Sequence, residues 1–145
     1  MSGVDIGTIA RLVTFELFAK GDLSRLEELT AADFVNHGQA GGSGSGRENL
    51  KTAITGVRAA FPDLAYTLEH EVIDDEFALH HLTARGTHRG ALLGYPPTGK
   101  PAEWAEMHLM RFRGGKLSEQ WGVVDRLGLL QQLGFGPGAQ PASRP

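Results

Sequence analysis

Hydrophobic residues follow a helical spacing in the first half of the chain and alternate with polar residues in the second half. A first helix that ends near Lys20 is predicted by apolar positions three or four residues apart, namely Ile6, Ile9, Val13, Leu17 and Phe18. Regularly spaced leucines predict a short second helix over residues 23–29, which leads into residues 32–37. A third helix is predicted over residues 47–60, ahead of a proline.

Four runs of mixed apolar and polar residues predict strands at 66–73, 77–88, 101–112 and 116–124. In the first run, strict alternation would place Tyr66, Leu68, His70 and Val72 on one face. The last two runs flank Gly114 and Gly115, and glycine reaches the positive φ angles of a tight hairpin turn. The sequence therefore predicts one long β-hairpin, followed by a short helix over residues 126–133.

Helices grouped before antiparallel strands predict an α+β fold, with the helices packed on one face of a curved four-stranded sheet. The concave part left uncovered becomes a pocket, and the outer face of the sheet is expected to meet another subunit. Residues 38–46, nearly all glycine and serine, are expected to form a mobile loop. Glycines and prolines in residues 89–101 predict a long loop over one end of the sheet.

The 145 residues are expected to form one domain, residues 1–134, with a disordered tail at residues 135–145. The 14 basic and 17 acidic residues give a net charge of −3, and neither sign is collected into a block, so no nucleic-acid or anionic-membrane surface is predicted. The absence of cysteine excludes disulfides, thiolate nucleophiles and cysteine metal sites. Without a visible secretion signal or an apolar run of membrane-spanning length, the default expectation is a soluble cytoplasmic protein.

Several short motifs occur in a fixed order along the chain. They are Asn36-His37, Ala60-Phe61-Pro62-Asp63-Leu64, Gly86-Thr87-His88-Arg89-Gly90, Pro97-Thr98-Gly99-Lys100, Arg111-Phe112 with Gly115-Lys116-Leu117, and Gln132-Leu133-Gly134. In order and spacing they resemble SnoaL-like proteins, the polyketide-cyclase-like branch of the nuclear transport factor 2-like superfamily. The resemblance extends over residues 6–134.

The resemblance implies a cone-shaped α+β barrel, with a curved antiparallel or mixed sheet and N-terminal helices enclosing a deep apolar cavity. It also implies a homodimer or homotetramer assembled through the sheet. Cyclases of this family close a carbocyclic ring by intramolecular aldol condensation and use no metal or organic cofactor. The scaffold also hosts isomerases, epoxide hydrolases, hydroxylases and non-catalytic binders, so the fold alone does not assign the chemistry.

The resemblance extends to single residues. Glu106 and His108 match a Gln-x-His segment of these cyclases, Asn36 matches an asparagine that lines the cavity, and His88 matches a histidine after the third motif. Where the cyclases carry the acidic residue that acts as acid and base, this chain has Gly122, which cannot transfer a proton.

Three residues are candidates for replacing that acid. His108 on an apolar strand face could be a hydrogen-bonded core residue, but an imidazole beside the Glu106 carboxylate can also remove a proton α to a carbonyl. Glu106 could instead be a solvated residue at the cavity mouth. Asp125 ends the last strand, so it suits either a helix N-cap or catalysis. Strict alternation puts the Asp125 side chain on the other face of the sheet from Gly122, unless a bulge intervenes.

The other candidates are substrate-binding residues. Asn36 and His37 are either turn residues or groups that orient a substrate carbonyl or a water. Trp104 and Trp121 are expected in the cavity wall, where flat aromatic surfaces suit planar substrates.

A metal site is not predicted. Adjacent His80 and His81 point to opposite faces of a strand, and neither His-x-x-x-His nor His-Glu-x-x-His occurs. The chain also has no phosphate-binding glycine motif. The resemblance to the cyclases implies that no cofactor is used.

These features favour a cofactor-independent enzyme that acts on a hydrophobic, carbonyl-bearing small molecule. His108, aided by Glu106 or Asp125, would remove a carbon-bound proton, and Asn36 or a water would stabilise the enolate. Two alternatives stay open. One is epoxide hydration, isomerisation or hydroxylation in the same pocket, and the other is a binding protein without turnover, for which Gly122 is the best support.

Overall fold

A computed structural model of the protein describes residues 5–38 and 46–137, which form four helices and one five-stranded sheet. The helices are α1 (Ile6–Leu12), α2 (Leu26–Leu29), α3 (Arg47–Ala60) and α4 (Arg126–Gln132). The strands are β1 (Thr30–Asn36), β2 (Ala65–Ile73), β3 (Phe77–Thr87), β4 (Pro101–Arg113) and β5 (Lys116–Val124). The α+β class predicted from the sequence is confirmed.

The N-terminal helix is longer than α1 because it continues as a π-helix over Val13–Ala19 and ends at Lys20, as the apolar spacing predicted. It starts at Asp5, whose carboxylate accepts a hydrogen bond from the backbone N–H of Thr8. A 3-10 turn over Leu23–Arg25 then leads into α2. No helix in the described ranges is long and apolar enough to cross a bilayer.

The sheet has the strand order β1-β5-β4-β3-β2 and is not closed into a barrel. Strand β1 was not predicted, and it corrects the expected four-stranded sheet to five strands. It pairs in parallel with β5, while the other neighbouring strands are antiparallel, so the sheet is mixed. The consequence for the site is that Asn36 ends a sheet strand rather than lying in a turn.

The predicted hairpin is confirmed by β4 and β5. Its turn has positive φ at both glycines, 59° at Gly114 and 77° at Gly115. The register is continuous from Arg111 to Glu106, so no bulge lies near Gly122 and His108 pairs directly with Gly122. The side chains of β5 therefore alternate strictly between the inner and outer faces along the part of the strand next to the cavity.

Strand β2 contains a bulge that the alternation rule did not reveal. The register shifts between Leu68 and His70, so Tyr66 and Leu68 lie on the inner face while His70 lies on the outer face. The expectation that His70 and Val72 share a face with Tyr66 is wrong for this reason. The shift turns Glu71 inward, where its carboxylate accepts a hydrogen bond from buried His80 Nε2 at 2.8 Å.

The helices and the inner face of the sheet enclose two apolar clusters. One packs the N-terminal helix and α3 against the sheet, and the other surrounds Phe61 and Trp104 next to α4. Phe135, expected in the tail, packs against the second cluster, and its ring stacks on Tyr95 with centroids 4.2 Å apart. The rest of the expected tail (138–145) and most of the expected glycine-serine loop (39–45) lie outside the described residues.

Asp125 is the N-cap of α4, since its side chain accepts a hydrogen bond from the backbone N–H of Gly128 at 2.9 Å. We expect Asp125→Ala to lower the free energy of unfolding by about 1 kcal/mol, because that backbone donor loses its acceptor. Asp125→Asn is the matched control and should retain most of the stability, since asparagine caps about as well. Chemical denaturation of the three proteins measures the difference, and equal stability of Asp125→Ala and the parent would contradict the assignment.

Candidate active site

A cavity of about 440 Å³ lies between the inner face of the sheet, α3 and the loop that follows β3. Its wall is mostly apolar, with contributions from Phe18, Leu50, Ile54, Val57, Phe61, Leu92 and Leu129. Polar side chains enter it mainly from the sheet, and they are Asn36, Tyr66, Glu106, His108 and Gln120. A concave apolar site with a few convergent polar groups is the usual form of a small-molecule pocket.

Glu106 and His108 form a buried pair in this cavity. Their side chains both point inward because they are two residues apart on β4. His108 Nε2 lies 2.8 Å from Glu106 Oε1, and the residues are only 7% and 5% exposed. The reading of Glu106 as a solvated group at the cavity mouth is therefore wrong.

Two further donors hold the Glu106 carboxylate. Trp104 Nε1 donates to Oε2 at 2.7 Å, and the Tyr66 hydroxyl donates to Oε1 at 3.2 Å. Burial raises the pKa of the Tyr66 phenol well above its ordinary value, and the nearby Glu106 charge raises it further, so Tyr66 remains a proton donor. A buried carboxylate needs such donors to compensate for its lost hydration.

Gln120 fixes the other side of the imidazole. Its Nε2 lies 3.0 Å from His108 Nδ1, and the residue is 4% exposed. Because His108 donates its Nε2 hydrogen to the Glu106 carboxylate, the neutral ring carries no hydrogen on Nδ1, and the Gln120 amide donates to that nitrogen. Nδ1 is therefore the basic nitrogen of His108.

Gln120 and Tyr66 were not among the predicted site residues. Gln120 could have been found from the hairpin, because it lies two residues before Gly122 and thus shares the face that meets His108. Tyr66 could have been found from alternation at the start of β2, ahead of the bulge. Neither position carries a sequence signal of its own.

Asn36 enters the cavity from the end of β1, as the resemblance implied. Its Nδ2 donates to Oδ1 of buried Asn49 on α3 at 2.9 Å, and its Oδ1 accepts from the Gly38 backbone at 3.0 Å. These contacts fix the amide plane, while Nδ2 keeps a second hydrogen available. Asn49, which the sequence reasoning missed, orients this group.

Four of the predicted site residues do not line the cavity. Asp125 caps α4, as described above. His88 is fully buried beside Phe61, and its Nδ1 accepts the Thr98 backbone N–H at 3.2 Å, so it fastens the base of the 89–100 loop. Burial lowers the pKa of His88, which favours this neutral, accepting form.

His37 and Trp121 lie together on the outer face of the sheet. Their rings stack with centroids 4.8 Å apart, and His37 Nε2 contacts Glu119 Oε2 at 3.0 Å. The expectation that Trp121 forms cavity wall is wrong because it alternates with the inward residues Gln120 and Gly122. Trp104, by contrast, is 4% exposed and lines the cavity as predicted.

No group of three or more histidine, aspartate or glutamate side chains within 5–38 and 46–137 is arranged to hold a metal ion. What the cavity does offer is a basic nitrogen supported by a carboxylate, together with amide and phenol donors. Such an arrangement can accept and return a proton and can stabilise a developing oxyanion.

Known proteins resemble this chain in both sequence and fold. Aklanonic acid methyl ester cyclase DnrD of Streptomyces peucetius is 28% identical over 132 residues, covering 89% of this chain and 90% of the relative. Nogalonic acid methyl ester cyclase of Streptomyces nogalater is 30% identical over 120 residues, covering 81% and 89%. Wild-type IdmH of Streptomyces antibioticus, a crystal structure, is 35% identical with a TM-score of 0.74 and covers 89% of this chain and 97% of its own.

A SnoaL-like polyketide cyclase of Agrobacterium tumefaciens has the same fold at 19% identity, with a TM-score of 0.74 and coverage of 91% and 100%. The sequence profile of the SnoaL-like polyketide cyclases matches residues 8–133, nearly the whole described chain. The chain therefore belongs to the SnoaL-like polyketide cyclase family.

Proposed function

We propose that this protein is a cofactor-independent enzyme that catalyses aldol-type ring closure, or a related proton transfer at carbon, on an apolar carbonyl-bearing molecule. The observation that carries the proposal is the 2.8 Å contact between Glu106 Oε1 and His108 Nε2 inside an apolar cavity. Membership of the cyclase family supports the reaction class. Glu106 takes the supporting role that the sequence left between Glu106 and Asp125, since Asp125 does not line the cavity.

In the first step, the Gln120 amide releases His108 Nδ1. The freed lone pair removes a proton from a carbon next to a carbonyl, and the C–H electron pair becomes the enolate. The imidazolium that forms is stabilised through Nε2–H by the Glu106 carboxylate, as a paired carboxylate does in other histidine-based sites. The enolate carbon then bonds to a second carbonyl carbon of the same molecule. The resulting alkoxide takes the proton back from Nδ1, so the reaction needs no net donor or oxidant.

The remaining cavity residues suit charge stabilisation and water exclusion. The second Nδ2 hydrogen of Asn36 is a donor for the enolate oxygen, in the role of a preorganised oxyanion donor. Leu92 and Leu93, on the loop after β3, also line the cavity. Leu93 is 55% exposed, so a bound apolar ligand would cover it.

The relatives suggest the first substrates to try. Two of them are named for aklanonic acid methyl ester and nogalonic acid methyl ester, which are therefore the first compounds to test. Whichever compound the protein accepts, exchange of its acidic carbon-bound hydrogen with D₂O reports proton removal before ring closure. Exchange and cyclisation can therefore be measured separately.

We expect Glu106→Gln to lower kcat by about 10²-fold, because the amide cannot stabilise the imidazolium, and His108→Ala to remove the activity almost completely. Both variants should lose deuterium exchange together with cyclisation. His70→Ala is the matched histidine control, since His70 is on the outer face, and it should keep the parent rate.

Other outcomes would favour the alternative functions. An active His108→Ala protein combined with an inactive Glu106→Gln protein would contradict base catalysis by His108 and favour a carboxylate-driven reaction such as epoxide hydration. A ligand recovered unchanged from the parent protein, with no exchange above background, would favour a binding protein without turnover.

The partner that we propose is a second copy of this chain, bound through the outer face of the sheet in a homodimer or homotetramer. Val72, Met107 and Val123 are 62%, 46% and 65% exposed, and all three lie on this face. Met107 pairs with Val123 across β4 and β5, so part of the patch is continuous. Exposed apolar patches of this kind commonly mark protein interfaces.

The cytoplasmic location stays a prediction from the sequence.

We expect the parent protein to sediment as a dimer or tetramer and Val123→Glu to shift it to monomer, because a charge would be buried in the interface. Leu127→Glu is the control, since Leu127 is 52% exposed but lies on α4. Sedimentation velocity measures the change. A monomeric parent, or a Val123→Glu protein that sediments as the parent does, would contradict this interface.

A further inference from the structure

Arg126 is the only lysine or arginine among the residues that line the described cavity. Its guanidinium forms no hydrogen bond and no ion pair with any other described part of the chain. The cavity wall also contains one carboxylate, that of Glu106, but three side chains already donate to it, namely Trp104, Tyr66 and His108. A cation that faces an apolar cavity without a counter-ion indicates that the ligand supplies one.

The backbone brings Arg126 to the cavity as a continuation of strand β5. The inward positions of this strand line the cavity at two-residue spacing, and they are Gln120, Gly122 and Val124. Arg126 is the next position in the row. The pairing with β4 persists up to it, because the Asp125 backbone N–H donates to the carbonyl of Ala105 at 3.0 Å.

The neighbouring acid does not neutralise this charge. Asp125 Oδ1 accepts a hydrogen bond from the Gly128 backbone N–H at 2.9 Å, so the carboxylate lies over the first turn of α4. Helical neighbours of Arg126 offer no partner either, since positions three and four residues further on are both leucines. The charge therefore has no local reason to be at this position.

Helix stability argues against an arginine here. The N-terminus of a helix carries a partial positive charge, so cations are favourable near the C-terminus and unfavourable in the first turn. Arg126 is nevertheless the first residue of α4, while the last turn of that helix contains no basic residue. A local rule that is broken without a compensating contact is typical of functional positions.

The spacing along β5 separates this cation from the proposed base. Gly122 pairs with His108, and Arg126 lies four residues further along the chain, which is about 13 Å for an extended backbone at about 3.3 Å per residue. A ligand that reaches both groups therefore needs an apolar body between its two polar ends. For the end at Arg126, a carboxylate is the best match, because its two oxygens can accept parallel hydrogen bonds from the planar guanidinium.

We propose that Arg126 is a specificity residue that binds a carboxylate of the ligand at the end of the cavity away from His108. The substrate class is then an apolar, carbonyl-bearing acid, with its reacting carbon at His108 and its carboxylate at Arg126. This inference rests on the proposed function for the way the substrate lies in the cavity, but its test measures binding and requires no turnover.

Two probes that differ in one methyl group test the subsite. They are anthraquinone-2-carboxylate, which carries the charge, and its methyl ester, which does not, and both are small enough for the 440 Å³ cavity. Equilibrium dialysis at neutral pH gives the Kd of each. For the parent protein we expect the carboxylate to bind about fivefold more tightly than the ester, as a partly exposed ion pair allows.

Arg126→Gln should bring the ratio of the two Kd values to one or below, because only the carboxylate loses its counter-ion. Arg126→Lys keeps the charge but loses the planar fork, so its ratio should lie between those of the parent and Arg126→Gln. Since no described contact depends on the guanidinium, both variants should unfold at the same denaturant concentration as the parent.

Arg113→Gln is the matched control for the change in net charge. Arg113 is exposed at the hairpin end of β4 and does not line the cavity. This variant removes the same charge as Arg126→Gln does, and it should retain the fivefold ratio.

Four results would overturn the subsite. They are a parent that binds the ester at least as tightly as the carboxylate, no binding of the carboxylate at about 1 mM, a ratio that survives in Arg126→Gln, and a ratio that is lost equally in Arg113→Gln. Failure of the proposed function looks different, because an active His108→Ala enzyme would refute the base while leaving the ratio unchanged. An intact ratio in the parent, lost only on removal of the Arg126 charge, together with inactive Glu106 and His108 variants, supports both.

Discussion

The site depends on a buried carboxylate in contact with a buried imidazole. Alone, the Glu106 charge in an apolar cavity would be strongly destabilising, because it has lost its hydration. Three donors compensate for this loss, one each from Trp104, Tyr66 and His108. Since the same hydrogen bonds fix the ring of His108, the interaction that makes the charge tolerable also determines which imidazole nitrogen is basic.

The fold holds this pair in place through the hairpin. Strand β4 brings Trp104, Glu106 and His108 to the inner face at two-residue spacing, and β5 supplies Gln120 and Gly122 in the row opposite. If β5 were shifted by one residue against β4, Gln120 and Gly122 would turn to the outer face, away from His108. The glycine turn therefore has a role in the chemistry as well as in the fold, because it sets the register.

Much of this arrangement could be read from the sequence, since hairpins and alternation are local properties. Local sequence patterns were enough to predict the turn at Gly114 and Gly115 and the helix over residues 47–60. They were also enough to place Glu106 and His108 on the same face of their strand. The family motifs supplied the cavity and the position of Asn36. Here local pattern and tertiary structure agree.

The parts that could not be predicted depend on distant partners. Strand β1 exists because it pairs with β5, more than 80 residues away, and the β2 bulge is visible only against β3. Trp121 was wrongly expected in the cavity wall because it is an aromatic residue on a strand that lines the cavity. It alternates with Gln120 and Gly122, which face inward, so its own side chain lies on the outer face. Gln120 gained its role from one contact with His108, which no motif encodes.

The most direct test of the central claim is ¹⁵N NMR of the histidine side chains. The signals of His108 are assigned as those that are missing from the spectrum of the His108→Ala protein. In its neutral form, the His108 ring is expected to carry its hydrogen on Nε2 and none on Nδ1. A ring that carries its hydrogen on Nδ1 would contradict the account, because the nitrogen turned toward Gln120 and the cavity would then have no lone pair to accept a proton.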